Sequence, residues 1–358
     1  MISHDEGVAQ LVTRVRDAAA DGTPLRIRGG GSKDFYGQSL EGALLDMRVF
    51  SGVVSYEPSE LVVTVRAGTP LAELEALLHE KGQCLPFEPP HFGGGATVGG
   101  MVASGLNGPG RSSAGAVRDY VLGVKILNGK GEVLHFGGQV MKNVAGYDVS
   151  RLMAGSLGTL AVLLEVSLKV LPVPPAESTL AFEFTEADAL AQLNRWGGLP
   201  LPVNASSWQD GRLHVRLRGA RAAVAAAEQT MGGKRVTDGA VAYWASLREQ
   251  ALPFFDTMAG DALWRLSVAD TAPPLGLGET VIEWGGAQRW VRRAAADAAD
   301  IRRVAAAAKG HATLFRSHDK SVPVFTPPAP PLDRIHRELK KQFDPAGIFN
   351  PHRLSADW

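Results

Sequence analysis

Arg28-Gly29-Gly30-Gly31-Ser32-Lys33, Gly93-Gly94-Gly95-Ala96-Thr97-Val98-Gly99-Gly100 and Gly155-Ser156-Leu157-Gly158-Thr159 are the stretches whose reading decides the fold. The second runs on through Ser104-Gly105 to Asn107-Gly108, and Gly146-Tyr147-Asp148 precedes the third. Glycine lets backbone approach a ligand closely and lets consecutive N–H groups converge on an anion. A single such loop is an ordinary turn. Three of them, each beside a β-rich run, suggest one long ligand held along its length, and a dinucleotide has that shape.

Common nucleotide motifs fail on spacing. In G-x-G-x-x-G, the first loop puts Asp34 in the last place and the second puts Val98 there. Gly105 to Ser112 approaches a P-loop but offers Arg111 for the lysine. It also lacks the strand before and the clean helix after that a P-loop requires.

Working outward, residues 6–20 read as an amphipathic helix, followed by a strand at Leu25–Ile27. Val53–Tyr56 and Leu61–Val65 read as paired strands. Thr69-Pro70 opens a helix to about Leu78, with Thr69 as its cap. Val121–Leu127 and Glu132–Phe136 read as a hairpin, and Leu160–Val170 as a long apolar strand. From position 176 glycine thins and alanine-rich helical stretches, Ala220–Glu228 and Val291–Ala308, alternate with strands. The expected fold is α+β. It divides into a first domain over 1–174 (subdomains about 1–67 and 68–174), a cap over 175–322, and a proline-rich linker with a returning helix over 323–358.

The 358 residues carry 37 basic and 37 acidic side chains, so nothing favours a nucleic-acid or anionic-membrane surface. No apolar run reaches the roughly 18–20 residues that span a bilayer. The acidic N-terminus lacks a signal-peptide core, which points to the cytosol. Cys84 is the only cysteine, and one thiolate cannot hold an iron–sulfur cluster. If the chain handles electrons, its carrier is organic.

The ordered set of the first loop, Ala96-Thr97-Val98-Gly99-Gly100, Lys142-Asn143-Val144-Ala145-Gly146-Tyr147-Asp148 and Gly155–Leu160 resembles the FAD-binding fold of the vanillyl-alcohol-oxidase (PCMH) type. The likeness runs from about residue 5 to 173, and Phe343-Asp344-Pro345-Ala346-Gly347-Ile348-Phe349-Asn350-Pro351 matches the closing motif of that family. Within it, the short cap and Gly310–Arg316 are most similar to the FAD-binding subunits of bacterial glycolate oxidases.

The resemblance implies FAD as cofactor, held by Arg28, Gly29, Gly30, Gly31, Ser32, Lys33, Pro86, Thr97, Val98, Gly99, Gly100, Ser104, Gly105, Asn107, Gly108, Lys142, Gly146, Tyr147, Asp148, Gly158, Leu160, Val162 and Asn350. Ser32 stands where relatives with covalent flavin carry histidine, so the flavin is expected to be non-covalent. The resemblance makes Lys142 the candidate cation for the flavin pyrimidine and implies that Val162 would lie against adenine. Related 2-hydroxy-acid dehydrogenases use cap histidines to hold a metal, but this chain has no H-x-H or H-x-x-x-H pair, so no metal is expected. Catalytic candidates reduce to Lys142, Arg316 and His318, with Lys320 as a second cation for a small carboxylate.

The implied function is oxidation of glycolate to glyoxylate within a multi-subunit enzyme. Its partners are a larger FAD-binding subunit and an iron–sulfur subunit that takes the electrons. A non-catalytic flavin relay or assembly subunit, and a self-sufficient oxidase of another alcohol, remain as alternatives. Docking surface is expected around Trp284, Trp290 and the proline-rich linker.

Overall fold

The computed structural model describes residues 4–138, 147–257 and 261–357. Its first half opens with helix α1 (His4–Asp21), then β1 (Leu25–Arg28) and β2 (Ala43–Asp46), which pair in parallel. Strands β3 (Val53–Glu57) and β4 (Val62–Arg66) precede helices α2 (Leu71–Glu80) and α3 (Val98–Ser104). Then come β5 (Val121–Leu127), β6 (Val133–Gly137) and β7 (Val162–Lys169). The five-stranded antiparallel sheet has the order β3-β4-β7-β5-β6.

Local chemistry accounts for these elements. The β5–β6 turn is set by Asn128, whose Oδ1 accepts from the N–H groups of Lys130 and Glu132. Thr69 does not cap α2, which begins at Leu71 with Pro70 as its N-cap. Fully buried, its hydroxyl instead donates to Arg66 O at 2.7 Å and accepts from Gly52 N, tying the end of β4 to the preceding turn. One core fills the space between the sheet and α2 and α3, around Leu74, Phe87, Met101 and Val166. A second lies under α1 and includes Leu25, Leu45, Val162, Leu164, Ile348 and Phe349.

The second half contains β8 (Ala176–Glu183), α4 (Glu186–Gly197), β9 (Val203–Gln209), β10 (Arg212–Gly219), α5 (Arg221–Met231) and α6 (Ala240–Arg248). It continues with β11 (Ala262–Ser267), β12 (Thr280–Glu283), β13 (Gln288–Arg293), α7 (Ala298–Ala307) and β14 (His311–Arg316). With the two-residue strand Lys234–Arg235, these form an eight-stranded antiparallel sheet. Its order is Lys234–Arg235, β8, β10, β9, β12, β13, β11, β14. The alanine-rich run 291–308 is therefore not one helix. Val291 to Arg293 finish β13, and the helix starts at Ala298, because Trp264 and Leu263 offer Val291 and Arg292 ladder partners.

The front face of this sheet packs on the first half. Leu263, Val281, Trp290 and Phe315 share a core with Tyr36, Leu106 and Leu157. Trp284 and Trp290 are buried, 9% and 4% exposed, so neither is docking surface.

Helix α8 (Leu332–Phe343) then leads the chain back. Leu25 N donates to Ile348 O and Asn350 N to Leu25 O, so the C-terminal segment runs beside β1. Lys340, buried, donates to Thr159 O and Phe349 O at 2.8 Å and to Asp344 at 2.6 Å.

Candidate functional site

The first glycine loop, the start of α3 and the turn before β7 meet in one cleft. Its walls carry Arg28 to Asp34, Thr97, Gly100, Ser104, Gly158 and Asn350. Segments about 60 residues apart in sequence thus converge, as one elongated ligand requires.

Two glycines explain how close the walls come. A Cβ on Gly30 would sit 1.4 Å from Gly95 O, and one on Gly99 would sit 2.7 Å from the Ala67 Cβ. Their bareness serves the packing of loop on loop and of α3 on β4, and through that packing it shapes the cleft. The N–H groups divide in the same way. Val98 N and Gly99 N are spent on Thr69 O and Ala67 O, and Gly100 N on the Thr97 hydroxyl. Among the described residues, no backbone hydrogen bond uses the N–H groups of Gly29 to Lys33. The first loop therefore brings unspent donors to the cleft wall.

Charge follows the same loop. Arg28 pairs with Asp34 at 2.7 Å. Lys33 donates to Ser32 Oγ and His91 O, and burial lowers its pKa to about 8, partly countered by Glu249. Arg353 holds the loop from behind through Asp34 O at 2.9 Å. Burial lowers the Arg353 pKa to about 10. An anionic group would be met by free N–H donors and by a lysine that gains from a negative neighbour. The residues present fit a pyrophosphate.

Several expected contacts fall elsewhere. Val162 is fully buried in the core under α1, because alternation along the strand turns its neighbours Ala161 and Leu163 to the cleft. Leu160 and Val98 are core residues of the sheet–helix layer. Pro86 and Gly105 do not line the cleft either. Tyr147 is 92% exposed, and Asp148 caps the turn Val149–Leu152 through Arg151 N. Lys142 and Gly146 lie outside the described residues. Asn350 holds the cleft together rather than reaching freely into it. Its Oδ1 accepts from Ile27 N and its Nδ2 donates to Leu157 O, both at 2.7 Å.

Beyond Ser104 the chain leaves the first cleft, and Leu106 to Pro109 wall a second cavity against the front face of the large sheet. Asn107 contributes there with its amide already committed, Nδ2 to Gly105 O and Oδ1 from Val117 N. Opposite stand Arg248, Gln250, Arg265, Glu283, Gln288 and Trp290. Sequence reasoning missed these. Arg265 is opposite Trp290, and Glu283 opposite Gln288, in the sheet register, which puts all four on one face.

Glu283 is 4% exposed, and burial raises its carboxyl to about 7 despite bonds from Trp290 Nε1 at 2.6 Å and Gln288 Nε2 at 3.0 Å. The expected catalytic cations are committed elsewhere. Arg316 donates to Gln250 Oε1 and lies over the Phe35 ring. Lys320 donates to Phe35 O and Gly37 O. His318 is exposed and does not line the cavity. Among the described residues, no cluster of three His, Cys, Asp or Glu could hold a metal, and no helix is long and apolar enough to cross a membrane.

Residues 6–137 match the FAD binding domain family model, so the chain carries an FAD-binding domain. The chain is 49% identical over 97% of its length, and 97% of the relative's, to the glycolate oxidase subunit GlcE of Escherichia coli. It is 31% identical to the glycolate oxidase subunit GlcD of Bacillus subtilis over 42% of this chain and 32% of that protein. It is 33% identical to a mitochondrial D-lactate dehydrogenase (cytochrome) of Arabidopsis thaliana over 40% of this chain and 26% of that one. Among solved structures, an alkyldihydroxyacetonephosphate synthase shares the fold, with a TM-score of 0.68 and 17% identity over 98% of this chain and 76% of that chain. With near-complete coverage at that level of identity, the chain belongs to the family of the glycolate oxidase subunit GlcE.

Proposed function

We propose that this chain is the FAD-binding subunit of a multi-subunit glycolate oxidase, contributing to oxidation of glycolate to glyoxylate. The observation that carries the reading is the convergence of separate glycine segments on one cleft with N–H donors unspent among the described residues, in a chain alike to GlcE over 97% of its length. In this reading Gly29 to Lys33 hold the pyrophosphate, and Thr97, Gly100, Ser104 and Gly158 border the rest of the cofactor. Bound FAD supplies two-electron oxidation of a hydroxyl-bearing carbon. The chain's own residues bind it, orient it and exclude water.

Ser32 offers no ring nitrogen for a covalent bond, so the flavin is held non-covalently. Electrons leave through partners, a larger flavin subunit and an iron–sulfur subunit, because Cys84 alone cannot ligate a cluster.

Purified protein tests the reading directly. It should be yellow, and heat or acid should release FAD into the supernatant. Flavin that stays with the denatured chain would remove the non-covalent assignment, and a colourless chain that FAD cannot reconstitute would remove the reading itself. Co-purification with the two partner subunits tests the assembly. Monodisperse chain that ignores both would leave it without a complex.

A further inference from the structure

The second cavity holds a buried acid beside a base whose donors are largely unspent. Both hydrogen bonds to Glu283 fall on Oε2 and come from neutral groups, the Trp290 indole and the Gln288 amide. Among the described residues, Oε1 receives none. Arg265 makes one side-chain hydrogen bond among them, Nη2 to the Tyr36 hydroxyl at 3.0 Å. Its guanidinium lies over the Tyr36 and Phe315 rings, 5.7 and 5.4 Å from their centroids, which fixes the plane of the fork. Burying a carboxylate without a bonded cation is costly, and ligand sites are where such groups are kept.

Resting on the reading of the chain as a glycolate oxidase subunit, we propose that this cavity binds a short 2-hydroxy acid within this subunit itself, Arg265 taking the carboxylate and Glu283 accepting the 2-hydroxyl. A planar guanidinium is matched to a carboxylate, and among the described residues Arg265 Nε and Nη1 make no hydrogen bond. Glu283 Oε1 is the acceptor on the same sheet face. Leu106 to Pro109, the opposite wall, follow directly on the helix that borders the FAD cleft, so an acid held here lies at the end of that cleft. The site makes the subunit a substrate binder rather than a relay.

The groups facing Glu283 are Arg265 from β11, Gln288 and Trp290 from β13, Glu88 from the first half, and Tyr243 from α6, whose hydroxyl burial pushes up to about 12. Burial brings the Glu283 carboxyl to about 7, so it changes charge near neutral pH. Above about 7 its carboxylate accepts a hydroxyl better but repels a second carboxylate.

Isothermal titration and the flavin difference spectrum of the FAD-loaded chain read binding without turnover, with glycolate and oxalate as probes. Arg265→Gln should weaken both acids about tenfold or more, as loss of a charge-assisted contact implies, and Arg265→Lys should recover part of it. Glu283→Gln should weaken glycolate but leave oxalate unchanged or tighter. It should also abolish the rise of glycolate affinity and the fall of oxalate affinity between pH 6 and 8. Each variant is checked for FAD content and melting transition, and Arg265→Lys carries the test if Arg265→Gln does not fold. Wild-type affinity for both acids in all three variants would overturn the site. A loaded wild-type chain that binds neither acid would overturn it too and leave the FAD-subunit reading standing, whereas a chain that takes up no FAD removes that reading first.

Discussion

Glu88 and Arg216 join the two halves of the molecule, carboxylate to guanidinium at 2.7 Å, with side chains 13% and 3% exposed. Arg218 adds a second guanidinium at 2.8 Å, and Gly110 N donates to the same carboxylate at 2.8 Å. Arg216 also lies 4.9 Å over the Trp244 ring and donates to Asn204. Glu88 takes φ +49 to reach this position. The pairing fixes how the large sheet sits on the segment that leads into the second cavity.

Removing one partner leaves a buried charge unpaired, which costs about 3–5 kcal/mol. Glu88→Gln should lose about that much in denaturant unfolding. Burial alone would push the Glu88 carboxyl up, but Arg216 and Arg218 outweigh it and hold it below the usual value. A depressed folded pKa gives stability that is present above the unfolded value and lost as pH falls through the folded one. The wild type should therefore weaken on acidification below about 4.5, and the variant should show a flatter acid limb. Equal stability of the two at pH 7 would contradict the clamp.

Lys33 predicts how cofactor affinity depends on pH. Its pKa is lowered to about 8 in the free protein, so above that pH the amine is neutral. A pyrophosphate beside it favours the charged form, and binding must then take up a proton. FAD affinity should fall as pH rises above about 8. Lys33→Ala should bind about tenfold more weakly at pH 7, the scale of one charge-assisted hydrogen bond, and lose the pH slope. Flavin fluorescence titration from pH 7 to 9.5 checks it; parallel curves for both proteins would assign the slope to another group.

How much of this was legible in the sequence depended on the range of the forces involved. Helix α8, Leu332–Phe343, was readable as the returning helix of 323–358, because the proline-rich run sets where it can begin. The β5–β6 hairpin was readable because Asn128 and Gly129 form its turn locally. The glycine segments announced a cleft, but the sequence did not show that the missing Cβ at Gly30 and Gly99 also makes room for Gly95 and Ala67. Val162 was misplaced by one step of strand alternation, which only the register can settle. Glu283 and Arg265 carry no local signature at all. Their meeting depends on strands β11, β12 and β13 pairing, and nothing within a few residues of either records that.

Those close approaches give a sharper expectation for the loops. Gly30→Val places side-chain atoms where Gly95 O already sits, and Gly99→Val does the same against Ala67. Overpacking of this kind costs about 1–3 kcal/mol or more. Both variants should lose FAD and also melt earlier in the cofactor-free form. Loss of FAD with an unchanged apo melting transition would show that the glycines serve the ligand directly.

The last expectation concerns the returning C-terminus. Asn350 is 6% exposed and bridges Ile27 N to Leu157 O, so it ties β1 to the turn that borders the cleft. Asn350→Ala strands a buried donor and a buried acceptor, each about 1–3 kcal/mol. The variant should lose roughly 2–6 kcal/mol of stability and, because the stranded groups flank Gly158 and Gly29, should bind FAD more weakly. Deleting 332–358 removes Lys340 as well, and with it the bond to Thr159 O. That truncation should lower FAD affinity further than Asn350→Ala does. If the truncated protein bound FAD like the wild type, the return would be a surface appendage and the cleft would be complete without it.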